Sequence, residues 1–110
     1  MIVMAIALAL LAAAIVANGR HGPVVATLSA IVGDQQEWTG TQVRVTGELL
    51  QFQDPGGQPY GVIEDAQHDR IGLRQIQPWL SLVGHQVVAV GTVAFDPGFG
   101  LYLANPHITP

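Results

Sequence analysis

A chain of 110 residues, 49% of them hydrophobic, with four basic and eight acidic side chains and no cysteine, has room for one small domain and not for two. A formal charge of -4 with no lysine denies the protein the cationic funnel on which non-specific binding to polyanions depends. The missing cysteine excludes disulfides, thiolate metal sites and thiol nucleophiles.

Ile2 to Ala17 carries neither a charge nor a strong hydrogen-bonding side chain, and Asn18-Gly19-Arg20-His21-Gly22-Pro23 then stops any helix. As a helix rising about 1.5 Å per residue the run would span roughly 24 Å, a little short of a usual bilayer crossing. Small residues at Ala17 and Gly19 suit a signal-peptidase site. Arg20 instead suits a retained anchor with its C-terminal side in the cytoplasm, and no basic side chain precedes the run. The division is therefore 1–21, an apolar membrane anchor or signal segment, and 22–110, the folded domain. That domain holds three arginines against all eight acidic residues, a formal charge of -5.

Behind Thr27 as N-cap, Leu28, Ile31 and Val32 fall at helical spacing, and Gly33 is a natural stop, so a short helix is expected before the first strand. From Thr41 the period changes to two, with Val43, Val45, Gly47 and Leu49 on one face and Gln42, Arg44, Thr46 and Glu48 on the other. Asp54-Pro55-Gly56-Gly57-Gln58-Pro59 is a turn. Tyr60 to Glu64 and Arg70 to Arg74 then read as a hairpin joined by Asp65-Ala66-Gln67-His68-Asp69. Gln75 to Val83, opened by Pro78, has room for a second short helix. Gly84-His85-Gln86-Val87-Val88-Ala89-Val90-Gly91 echoes Gly40-Thr41-Gln42-Val43-Arg44-Val45-Thr46-Gly47 as G-x-Q-V-x-x-x-G. A glycine at the same interior place in two strands marks sharp bends such as barrel corners. Asp96-Pro97-Gly98 turns the chain into a last strand, Leu101 to Ile108.

This order predicts an all-β, five-stranded Greek-key barrel with one short helix before strand 1 and another between strands 3 and 4, plus the N-terminal apolar helix. The pattern Trp38-x-Gly40-x-x-Val43-x-Val45-x-Gly47, Tyr60-x-Val62-x-Glu64-Asp65, Ile71-x-Leu73 and Leu82-x-Gly84-x-x-Val87-x-x-x-Gly91 resembles the OB-fold superfamily. Within that superfamily it is similar to the anticodon-binding-like, nucleic-acid-binding type of domain. The resemblance covers about residues 25 to 108 and implies a fold more firmly than an activity.

It also implies a binding face on strands two and three and the loops Gln53 to Gln58 and Phe95 to Gly100, which makes Tyr60, Arg70, Arg74, Phe99 and Tyr102 the candidate ligand-binding residues. Stacking on the three rings, with the arginines meeting an anionic group, is the chemistry that set offers. The competing reading has the aromatics cap the barrel ends and the arginines pair with Glu64, Asp65 or Asp69. Glu64, Asp65, His68 and Asp69 match no metal spacing and read as a solvated turn. Trp38 and Trp79 read as core or barrel-end plugs. A membrane segment, an OB barrel and a C-terminal histidine also resemble the layout of the haem chaperone of cytochrome c maturation. Asn105-Pro106-His107-Ile108-Thr109-Pro110 does not reproduce that family's attachment motif, and His107 reads as an ordinary terminal histidine.

Ser29 and Ser81 lack a nucleophile-elbow setting, and no phosphate loop or dinucleotide fingerprint is present. The sequence thus predicts a non-catalytic binding or assembly module, membrane-anchored through residues 2–17 or exported, with no metal and no cofactor. Its partner is a protein or small ligand. The alternative is a weak single-stranded nucleic-acid binder, which the acidic balance disfavours.

Overall fold

The computed structural model describes residues 22–110. The membrane or signal segment expected at 1–21 lies outside these residues. Among the described residues no helix is long and apolar enough to cross a membrane.

A two-residue strand, β1 (Val24–Val25), is followed by α1 (Leu28–Gly33) and α2 (Gln35–Trp38). The Thr27 Oγ1 accepts the Ala30 N–H at 3.1 Å and so caps α1, which buries Leu28 and Ile31 in the core. The single helix expected here is thus two short ones, because Asp34 leaves helical geometry at φ -151°.

The barrel strands are β2 (Gln42–Gln53), β3 (Pro59–Glu64), β4 (Arg70–Leu73), β5 (Gln86–Asp96) and β6 (Gly100–Thr109). A 3₁₀ segment at Gln77–Leu82, with proline in its first turn and a kink at Trp79, where φ is -124° and ψ 22°, occupies the expected place between β4 and β5. The sheet runs β2-β3-β4-β6-β5 and closes through β5 on β2, with β4 and β6 parallel and the other barrel pairs antiparallel. This closed five-stranded barrel is compatible with an OB-like fold. β1 lies parallel to β2 at Val43 and Arg44, an addition too short for its residues to announce.

Closure needs one strand to serve two neighbours. β2 pairs with β5 over Gln42–Glu48 and with β3 over Glu48–Gln53, and Gly47 sits at the crossover. A Cβ there would lie 2.6 Å from the Glu64 carbonyl oxygen and 2.8 Å from Ile63, so only glycine fits. Gly91, its counterpart, faces a bulge in β6, where Asn105 and Pro106 oppose it alone. Pro106, lacking an N–H, is tolerated in a paired strand at such a place.

The sequence echo has a structural meaning, because the two copies pair with each other. Gly40 and Gly84 both adopt φ +89°. The Gly40 N–H donates to the Val93 carbonyl at 2.8 Å, and the Gly84 N–H to the Leu49 carbonyl at 2.7 Å. Val93 donates back to Thr41 and Leu49 to His85, both at 3.0 Å. The repeat therefore forms a local two-fold about the Val45 and Ala89 pair.

Inward residues of all five strands make one core: Val43, Val45, Leu49, Ile63, Ile71, Leu73, Val87, Ala89, Val93 and Leu103 are each at most 1% exposed. Leu28, Ile31 and Ile76 join it from the helices and the loop after β4, and Trp38 and Trp79 pack partly buried against it. No polar side chain among the described residues is buried, so whatever chemistry this barrel carries is on its surface.

Candidate functional site

The alternation that buries Leu49 turns Phe52 outward at the end of β2, where it faces Tyr60 across the register. The turn between them is held by Asp54, whose Oδ1 accepts the Gln58 N–H at 2.9 Å, while Gly57 supplies φ +84°. Cross-strand pairing leaves the Phe52 and Tyr60 ring centroids 6.1 Å apart.

Phe99 arrives from the β5–β6 turn and meets Tyr60 edge-on at 5.2 Å, and Tyr102 in turn meets Phe99 at 5.9 Å and 86°. The Phe99 ring lies on the outer surface because Gly72 has no side chain. A Cβ at Gly72 would sit 2.6 Å from Phe99 Cε2.

An arginine stands at each end of this strip. The Arg70 guanidinium lies 5.1 Å from the Phe52 ring centre and donates from Nε to Glu64 Oε2 at 3.2 Å. The Arg74 guanidinium lies 5.3 Å from both Phe99 and Tyr102 and donates to Asp96 Oδ2 at 2.8 Å. Both arginine side chains are about half exposed, at 54% and 50%.

The two carboxylates respond to these contacts. Glu64 is held below the ordinary carboxylate range chiefly by its bond to His68 Nδ1 at 3.1 Å, with burial opposing and Arg70 adding to the lowering. Asp96 is held low first by Arg74 and then by the Gly98 and Phe99 N–H groups, and Arg74 is pushed upward in return.

All five residues expected from the sequence, Tyr60, Arg70, Arg74, Phe99 and Tyr102, thus come together along one outer face. Arg70 takes the expected partner Glu64, whereas Arg74 takes Asp96, a carboxylate outside the hairpin set of Glu64, Asp65 and Asp69. Phe52 is a member of the strip that sequence reasoning missed. Continuing the period-two pattern of β2 past Leu49 to Gln53 would have placed it there.

In the hairpin loop, Asp65 Oδ1 accepts the N–H groups of Gln67 and Asp69 at 3.0 and 2.9 Å, and His68 takes φ +67°. These are the bonds of a tight turn. Among the described residues no three His, Asp or Glu side chains gather as a metal-ligand set.

Beyond Tyr102 the strip opens into a groove of about 440 Å³ between Arg74–Gln75, the 3₁₀ segment at Pro78 and Trp79, and β6 from Tyr102 to Pro106. Compared with known proteins, the chain matches no family model, no curated protein and no solved structure.

Proposed function

We propose that this protein is a non-catalytic binding or assembly module of OB type, kept at a membrane or exported by residues 2–17, that takes its partner or small ligand on the strip running from Arg70 to Arg74. One observation carries this reading. Four half-buried rings and two half-exposed guanidinium groups are arrayed contiguously on one outer face. Aromatic side chains clustered with arginine at a protein surface are enriched in binding interfaces.

The test is a photo-crosslinking residue in place of Tyr60 in the full-length chain in cells, with a second chain carrying it in place of Arg44, outside the strip. Adducts formed from position 60 and absent from position 44 support the reading, and their mass identifies the ligand class. Equal labelling at both positions, or none, refutes it.

A second reading, a weak single-stranded nucleic-acid binder, draws on the same arrangement, since bases stack on such rings with arginine nearby. Against it, Arg70 and Arg74 are engaged by Glu64 and Asp96, so a phosphate must displace a carboxylate to gain either. Salt discriminates the two: binding to oligothymidylate must weaken steeply as salt rises, whereas partnering through rings is nearly indifferent to it.

A further inference from the structure

We propose that the outer face of β1, β2, β5 and β6 lies against the phospholipid surface of the membrane that holds residues 2–17, leaving β3, β4 and the acidic hairpin between them turned away from the bilayer. The inference goes beyond the reading of the aromatic strip and rests only on the part of it that keeps residues 2–17 in a membrane. Register defines the face. Paired residues of neighbouring strands point the same way, so Val25, Arg44, Val90 and His107 form one row across four strands. Thr46, Val88 and Thr109 stand on one side of that row, and Gln42, Thr92 and Ala104 on the other. The intervening row of Val45, Ala89 and Ile108 is buried, which puts the others outside.

Tether, apolar exposure and charge together select lipid as the occupant. The Ala26 N–H donates to the Arg44 carbonyl at 3.0 Å and pins β1 to β2, so the chain before β1 meets the barrel at the edge of this face. Six residues, Asn18 to Pro23, join Ala17 to Val24 and reach at most about 20 Å. The barrel therefore stays close to a bilayer that holds residues 2–17. Among the described residues the two most exposed large hydrophobic side chains are Val25 at 76% and Phe95 at 54%. β1 runs parallel to β2, so the chain enters from the Gln42 and Thr92 end, which is where β5 runs on to Phe95. Apolar and aromatic side chains so placed settle at the headgroup boundary.

None of the eight acidic residues stands in these rows. Glu48 and Asp96 bound the face at its two ends, and Asp96 is matched by Arg74 at 2.8 Å. Glu64, Asp65 and Asp69 belong to the hairpin, Asp54 to the turn after β2, and Asp34 and Glu37 to the helical segment. Arg44 forms no ion pair among the described residues. Charges are felt over about 8 Å at physiological salt, so a domain of formal charge -5 tethered this close to an anionic surface turns its acid-free side to it.

The chain has no cysteine, so single labels report single positions. Val25→Cys, Thr92→Cys and, in the hairpin loop, Gln67→Cys each carry an environment-sensitive fluorophore in the full-length chain, placed in vesicles of phosphatidylethanolamine and phosphatidylglycerol with or without a headgroup-nitroxide lipid. Labels at 25 and 92 are expected to emit at shorter wavelength than the label at 67 and to lose most of their emission to the nitroxide, while the label at 67 keeps its own. Val25→Ser with Phe95→Ser, both outside the buried core, is expected to abolish the quenching at 92 while the chain still floats with the vesicles. The crosslinking residue at position 44 is expected to capture phospholipid, a species distinct from any adduct at position 60. Equal quenching at 67 and 92 in a chain that floats overturns the orientation and leaves the anchor standing. A chain that does not float overturns both. A shift at 25 and 92 that grows with protein density and is not quenched shows a second copy on the face and also overturns the inference. Loss of crosslinks from position 60 alone, with quenching still selective for 25 and 92, refutes the strip as a binding site and supports the orientation.

Discussion

Asp96 and Phe99 are bound to each other twice within one turn: the Phe99 N–H lies 3.2 Å from Asp96 Oδ1 and 3.1 Å from the Asp96 carbonyl oxygen. The same Oδ1 accepts the Gly98 N–H at 2.7 Å, and Oδ2 takes Arg74. One exposed carboxylate therefore fixes both the ring at the centre of the strip and the cation at its end. Asp96→Asn keeps an oxygen for the turn and loses the charge, whereas Asp96→Ala loses both. The alanine variant is expected to melt at the lower temperature and to lose the contacts between the Phe99 and Tyr102 rings. The asparagine variant should keep those contacts, and NMR of the aromatic protons reads the difference.

Acid should loosen the strip from both ends. Glu64 and Asp96 are both depressed in the folded state, so the unfolded chain takes up more protons as pH falls past the ordinary carboxylate value of about 4. Their contribution is fully present above that value and is lost as pH drops through the lowered folded-state values. Melting temperature followed from pH 7 to pH 3 should fall at the acid end, and the combined Glu64→Gln and Asp96→Asn variant should show a shallower fall.

Gly47→Ala should cost about 1–3 kcal/mol, because the new methyl group meets the Glu64 backbone, which cannot swing aside. Gly33, at the end of α1, has no positive φ, and a methyl group added to it would meet no atom within 4 Å. Gly33→Ala should therefore be neutral or stabilise by up to about 1 kcal/mol. Urea unfolding of the two variants provides the comparison, and equal midpoints would refute the crossover argument.

Gly72→Ala meets mainly the tip of the Phe99 ring, a side chain that can move, with the Leu101 carbonyl also close at 3.2 Å. The strip should open at its centre while the fold survives. Nuclear Overhauser contacts between Phe99 and both Tyr60 and Tyr102 should vanish, with amide shifts of core residues such as Val45 little altered.

Asn105→Gly should change stability by no more than about 0.5 kcal/mol, and Asn105→Val should lose about 1–3 kcal/mol, since a β-branched residue resists the left-handed backbone of the bulge. Thermal melts of the two variants measure the gap. A valine variant as stable as the parent would mean that β6 pairs with β5 without the bulge.

Much of this barrel was legible because its strands are short and one-sided. The alternation from Val43 to Leu49, the turn at Asp54 to Pro59 and the glycine-framed repeat are local patterns, and local sterics and burial decide them. They were enough to place five strands, whereas Tyr60, Arg70, Arg74, Phe99 and Tyr102 were singled out by the resemblance to OB-type domains and not by the alternation. Other features depended on closure. That Arg74 meets Asp96 and not the hairpin carboxylates, that Gly72 leaves a seat for Phe99, that Asn105 and Pro106 form a bulge against Gly91 and that β1 adds to β2 are all contacts between segments distant along the chain. Periodicity reports which face a residue takes on its own strand. Which residue of another strand it meets is set by the register and by the bend each glycine permits, and only the closed barrel fixes those together.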